Sequence, residues 1–141
     1  MRRTVALLDG RAVLEGAVVA LAVAVPTVVA GAVLDPDVES NIVLVLWGLV
    51  MAGFLLGGLW AGRRRPDAPF ANGACAALAA YAAIALVASV IRLARGDSAD
   101  PVPLLFNAFM AATCGIVGGI IGGRPREGAG GRTATPRRGG S

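Results

Sequence analysis

The chain has 141 residues, of which 56% are hydrophobic, and it carries a formal net charge of +4 without a single histidine. A soluble chain of this length cannot bury so much apolar surface in one core, so the composition excludes an ordinary soluble domain and points to lipid as the solvent. The positive charge does not indicate nucleic-acid binding, because the 13 basic residues are all arginines and most of them flank apolar segments.

Four apolar segments, each about 20 residues or longer, predict four transmembrane helices. The predicted spans are residues 12–34, 42–62, 71–93 and 103–123. The first span is longer than the apolar region of a signal peptide, so we expect it to remain uncleaved. Together the spans form one transmembrane domain, residues 12–123, which follows a short N-terminal segment, residues 1–11. The tail, residues 124–141, consists mainly of Gly, Arg, Pro, Thr and Ser and is predicted to be disordered.

The distribution of arginine predicts the orientation of the four helices. The N-terminal segment, the loop after the second span and the tail contain 11 arginines, whereas the opposite side contains only Arg92 and Arg95. An acidic turn at residues 35–39 also lies on that opposite side. Because short arginine-rich loops stay in the cytoplasm, both termini and the loop after the second span are predicted to be cytoplasmic.

A glycine-rich ending occurs in the second span and again in the fourth. The second span ends in FLLGGLWAGRRR and the fourth in GIVGGIIGGR, so that Gly57 and Gly58 align with Gly118 and Gly119 at a separation of 61 residues. The first and third spans open with EGA and NGA, 57 residues apart. These repeated segments predict two tandem helical hairpins in the same orientation, related by a pseudo-two-fold axis along the membrane normal.

Rows of glycine at every fourth position predict close helix packing, because small residues let two backbones approach each other. We expect the second and fourth helices to pack on each other near their cytoplasmic ends. Whether glycine rows also join separate chains stays open at this stage. The predicted helix-packing residues are Gly53, Gly57, Gly58, Gly62, Gly115, Gly118, Gly119, Gly122 and Gly123.

Two polar residues inside the spans are candidates for a transport site. Glu15 is the acidic residue that lies within an apolar span, and Asn72 is its counterpart in the repeat. Glu15 also lies one helical turn after Arg11, so an ion pair at the membrane interface is the alternative interpretation. Arginines that flank the spans can bind anionic lipid head groups. The arginines proposed for this role are Arg63, Arg64, Arg65 and Arg124.

The sequence does not predict an enzyme. It lacks histidine, the usual general base, and shows no pairing of a nucleophile with a base. The two cysteines, Cys75 and Cys114, are too few for a zinc site and lie at different predicted depths, so we interpret both as small packing residues. We expect no metal and no cofactor.

Two stretches resemble small uncharacterised four-helix integral membrane proteins of actinobacteria. These stretches are GGLWAGRRRPDAPFANGA, residues 57–74, and FNAFMAATCGIVGGIIGGR, residues 106–124. The resemblance implies a bacterial inner-membrane location and no particular activity. Small multidrug-resistance transporters also have about four helices and a glutamate in the first, but here Glu15 is shallow and lacks their aromatic surroundings.

Two hypotheses for the function follow. The first is a non-enzymatic membrane component that acts through helix packing, either as a homo-oligomer or as an accessory subunit of another membrane protein. The second is a small transporter or channel subunit with Glu15 and Asn72 near its path. In both cases the lipid bilayer surrounds the protein and nucleic acid is not a partner.

Overall fold

The computed structural model describes residues 8–33, 40–96 and 100–124, and these residues are almost entirely helical. The described residues form four helices, each long and apolar enough to cross a membrane by its length and composition. The prediction of an all-helical membrane fold with four spans is therefore confirmed. The helices are α1 (Gly10–Val33), α2 (Ser40–Arg64), α3 (Pro69–Ala94) and α4 (Pro101–Gly123).

Each helix begins two residues before the span that the sequence predicts, because the apolar run marks only the part that suits hydrocarbon. Asp9 caps α1: its Oδ1 accepts hydrogen bonds from the backbone N–H groups of Arg11 (3.0 Å) and Ala12 (3.4 Å). Asp100 caps α4 in the same way by accepting from the N–H of Val102 at 3.0 Å, and Pro101 occupies the first helical position.

The helices are arranged so that α2 and α3 each contact all three other helices. Among the described residues, α1 and α4 do not contact each other. Around the bundle the helices therefore follow the order α1, α2, α4, α3. Of the two diagonal pairs, α2 and α3 are close enough to contact each other. Consecutive helices run antiparallel, which makes α2 and α4 parallel neighbours.

One end of the bundle, which we call the arginine-rich end, contains the starts of α1 and α3 and the ends of α2 and α4. The half of the bundle next to this end contains every buried residue of the four helices whose burial the structure describes. We call it the closed half; it consists of residues 10–24, 53–64, 69–80 and 111–123. Its core is mostly alanine and glycine, and Phe54 is the largest apolar side chain that is fully buried. Small side chains allow the helices to pack at short distance there.

The remaining half of each helix, which we call the open half, consists of residues 25–33, 40–52, 81–94 and 101–110. No side chain that the structure describes in this half is buried. Large aliphatic residues replace alanine and glycine here, and many are exposed, as in Leu44 (65%) and Leu105 (71%). The helices are therefore packed tightly at one end and separated by apolar grooves at the other.

Three predicted features lie outside the described residues. They are the acidic turn at residues 35–39, most of the N-terminal segment (residues 1–7) and the basic tail after Arg124.

Candidate functional site

The tightest helix contacts in the closed half are formed by the predicted glycines. A Cβ placed on Gly58 would overlap the backbone carbonyl of Gly115, and one on Gly62 would overlap that of Gly119. Both contacts join α2 to α4, so these helices pack against each other at the arginine-rich end. A side chain at Gly58 or Gly62 would therefore force the two backbones apart.

The two glycine rows of α2 face different neighbours. Gly57 faces α1: a Cβ built there would lie 2.5 Å from the carbonyl oxygen of Gly16 and 2.7 Å from the Cβ of Ala20. Gly53, in the same row, also faces α1, whereas Gly58 faces α4. The two rows diverge because consecutive residues of a helix are about 100° apart around its axis.

The glycines of α4 divide in the same way. Cβ atoms on Gly118 and Gly122 would overlap the carbonyls of Leu55 and Leu59 in α2. The row formed by Gly115, Gly119 and Gly123 faces α3 instead. All nine predicted packing glycines therefore lie at contacts between helices of one chain.

The contacts also indicate which positions of the two hairpins are equivalent. Gly16 and Ala20 of α1 pack on Gly57, and their counterparts Gly73 and Ala77 of α3 pack on Gly115. In structural position Gly57 thus corresponds to Gly115, which is 58 residues away, and not to Gly118 at 61. The glycine rows can be matched in several registers, and the contacts within each hairpin use the separation of 58 residues. That the hairpins arose by duplication stays a prediction.

A polar cluster closes the arginine-rich end, and Asp9 lies at its centre. The Nε–H of Arg65 donates to Oδ2 of Asp9 at 2.8 Å, which joins the start of α1 to the loop after α2. The backbone N–H of Asp9 donates to Oδ1 of Asn72 at 2.9 Å, which joins it to α3. The hydrogen bond from Arg65 lowers the pKa of Asp9, with help from the two capping N–H groups. The same contact raises the pKa of Arg65.

The carboxylate of Glu15 forms ion pairs with two arginines. Its Oε1 accepts from Nε of Arg11 at 3.3 Å, which is the ion pair that the sequence suggests, and its Oε2 lies 2.9 Å from Nη2 of Arg64. The indole N–H of Trp60 also donates to Oε2, at 3.4 Å. The guanidinium of Arg64 lies 5.8 Å from the centre of the Trp60 ring, within the range of a cation–π contact. A polar cavity of about 220 Å³ lies between Glu15, Asp9 and the two arginines.

Asn72 is buried to 1% exposure beneath this cluster. Its Oδ1 accepts from Asp9, as described, and its Nδ2 donates to the carbonyl of Ala68 at 2.9 Å. The sequence pairs Asn72 with Glu15 through the repeat, and the structure places both at the same end of the bundle. The amide is bonded to the residue that caps the helix of Glu15.

The four arginines proposed for lipid head groups fall into two pairs. Arg64 and Arg65 bind the chain's own carboxylates, those of Glu15 and Asp9. Arg63 and Arg124 are exposed and form no ion pair among the described residues. Only the second pair presents an uncommitted guanidinium to a head group.

Asp9, Trp60 and Tyr81 form contacts that the sequence analysis did not assign. The capping role of Asp9 could be predicted from its place just before the first span, since aspartate favours the N-cap. The partners of Trp60 and Tyr81 depend on which helices are neighbours, which no local pattern shows. Tyr81 donates to the carbonyl of Leu104 at 2.7 Å and meets the edge of Phe54, with ring centres 6.4 Å apart.

Within the described residues, no group of three or more His, Cys, Asp and Glu side chains could hold a metal ion. Cys75 and Cys114 are both free thiols. No known protein family, curated protein or solved structure matches this sequence.

Proposed function

We propose that the protein is a non-enzymatic component of a bacterial cell membrane that serves as a rigid helical platform for other membrane proteins or for further copies of itself. In this proposal both termini are cytoplasmic and the arginine-rich end faces the cytoplasm, in keeping with the arginine distribution. Arg63 and Arg124 would face anionic lipid head groups, at about 1 kcal/mol for each arginine near the membrane surface.

The observation that carries the proposal is the dry, backbone-to-backbone packing of the closed half. Contacts such as Gly58 with Gly115 leave no room between the helices for a side chain, let alone for a hydrated substrate. A platform benefits from such packing because its helices hold fixed positions. The glycine rows are used within the chain, so a partner would bind the outer surface of the bundle.

The polar side chains within the spans support the same interpretation. Thr27 donates to the carbonyl of Val23, Asn107 to that of Pro103 and Thr113 to that of Phe109, each four residues earlier in its own helix. Side chains that bond back to their own helix have their donors satisfied there and need no polar partner across the bundle. These contacts weigh against a transport path through the bundle.

The platform proposal is tested by crosslinking in native membranes, followed by extraction in a mild detergent and identification of the proteins that co-purify. We expect a defined partner or a defined oligomer for the wild-type protein. The Gly58→Leu variant should lose it, because the leucine separates α2 from α4. The matched variant Gly48→Leu should retain it, because a Cβ at Gly48 meets nothing within 4 Å. A strictly monomeric wild-type protein without any co-purifying protein would contradict the proposal.

Transport remains the second candidate because Glu15 lines the polar cavity at the arginine-rich end. It is tested by measuring proton and cation flux into liposomes that contain the purified protein. A flux that Glu15→Gln abolishes and Asp67→Asn leaves unchanged would replace the platform proposal. The platform proposal predicts no flux above that of protein-free liposomes.

A further inference from the structure

The open half contains an apolar groove between α1 and α3, with a volume of about 420 Å³. Its lining is entirely aliphatic and includes valines, isoleucines and alanines from both helices. The residues that define it are Leu21, Val25 and Val28 on α1 and Ile84, Val87 and Ile91 on α3. Without an aromatic or hydrogen-bonding side chain in its lining, the groove suits a saturated hydrocarbon.

The groove is closed at the end next to the closed half, and its length is about that of one membrane leaflet. Leu21 and Ile84 pack against the core of the closed half and form its floor. From there the lining extends by about eight residues along α1, to Val29, and by seven along α3, to Ile91. At about 1.5 Å per residue this is about 12 Å, which approaches the ~15 Å of hydrocarbon in one leaflet.

Two arginines at the end of α3 lie near the mouth of the groove. Arg95 follows Ile91 by one helical turn and continues the row formed by Ile84, Ala88 and Ile91, and Arg92 lies beside it. Both arginines are exposed, and neither forms an ion pair among the described residues. A phosphate at the membrane surface would therefore find two exposed guanidinium groups above the groove.

We propose that this groove binds one acyl chain of a phospholipid from the leaflet opposite the arginine-rich end, with the lipid phosphate at Arg92 and Arg95. The two arginines near the mouth favour a phospholipid over an uncharged partner helix as the occupant. The lipid site goes beyond the platform function and does not depend on it, since it requires no partner protein.

The site is tested on the purified full-length protein by native mass spectrometry after stepwise removal of lipid. We expect the wild-type protein to retain one phospholipid. Val87→Trp fills the groove and should lose it. Val90→Trp is the matched control, because Val90 lies one helical turn after Val87 on α3, is as exposed as Val87 (60% against 59%) and does not line the groove. Arg95→Ala should reduce retention about fivefold, the factor that corresponds to the loss of ~1 kcal/mol from one arginine near a head group.

A second measurement keeps the proposal testable if Val87→Trp fails to fold, as circular dichroism and gel filtration would show. The wild-type protein is reconstituted with a phospholipid that bears a photoreactive group midway along one acyl chain. Crosslinks should form at Val25, Val28 and Val87 in preference to Val90. Equal loss of lipid in both tryptophan variants, crosslinks spread evenly around α3, or retention of a second protein chain in place of lipid would overturn the proposal.

Discussion

Gly58 sets the distance between α2 and α4, because the backbone of Gly115 occupies the space that a side chain at position 58 would fill. Gly58→Ala would bring a Cβ into that backbone, a clash that a rigid carbonyl cannot relieve. Overpacking of this kind costs about 1–3 kcal/mol. We expect the unfolding free energy in mild detergent, measured by titration with a denaturing detergent, to fall by this amount.

Gly48 provides the control for that substitution on the same helix. A Cβ there meets nothing within 4 Å, so Gly48→Ala should not lower the unfolding free energy and should raise it by about 0.5–1 kcal/mol, because alanine is more favourable than glycine in a helix interior. If the two alanine variants were equally stable, the close contact between α2 and α4 would be refuted.

Asp9 makes the stability of the arginine-rich end depend on pH. Its pKa in the folded protein is lowered from the ordinary 3.8, chiefly by the hydrogen bond from Arg65. A lowered pKa means that the contribution is present above the unfolded value and is lost as pH falls through the lower, folded value. We therefore expect the wild-type midpoint of thermal unfolding to decline below pH 3.8 more steeply than that of Asp9→Asn.

Asparagine is the suitable replacement because it also caps a helix, so the substitution removes the charge and keeps the cap. The difference between the two proteins cancels the titration of the other carboxylates. Parallel pH profiles for the wild type and Asp9→Asn between pH 6 and pH 3 would show that the contact with Arg65 does not stabilise the fold.

At the scale of the elements, Asn72 joins α3 to the start of α1. Asn72→Ala would leave the part-buried N–H of Asp9 without its acceptor, which costs about 0.5–1.5 kcal/mol. Asn107 offers a matched comparison, since its Nδ2 also donates to a carbonyl four residues earlier but is exposed. We expect Asn107→Ala to change the unfolding free energy by less than about 0.5 kcal/mol. Equal losses in the two variants would contradict a linking role for Asn72.

The sequence predicted the number of helices because hydrocarbon requires long apolar runs, and each run here is bounded by charge or proline. The ion pair between Arg11 and Glu15 could also be predicted from the sequence, since both residues lie on one helix. The division of the glycine rows between neighbours was not predictable, because it depends on which helices lie side by side. The contacts of Glu15 with Arg64 and Trp60 were not predictable either, because they join residues at least 45 positions apart in the chain.

At the scale of the whole molecule, composition changes along every helix in step with packing. Alanine and glycine predominate next to the arginine-rich end, and larger aliphatic residues predominate at the other. This asymmetry was present in the sequence, but only the antiparallel arrangement of consecutive helices brings the small residues of all four to one level. The closed half and the open half both follow from that arrangement.

The measurement that tests the membrane architecture most directly is the labelling of single cysteines with a membrane-impermeant maleimide, in a variant whose two native cysteines are replaced by serine. Cysteines are introduced at Asp67, in the loop after α2, at Ser98, between α3 and α4, and at Ser141. With both termini in the cytoplasm, intact cells should be labelled only at position 98, and permeabilised cells at all three. Labelling of positions 67 and 141 from opposite sides of the membrane would contradict the bundle of four crossings.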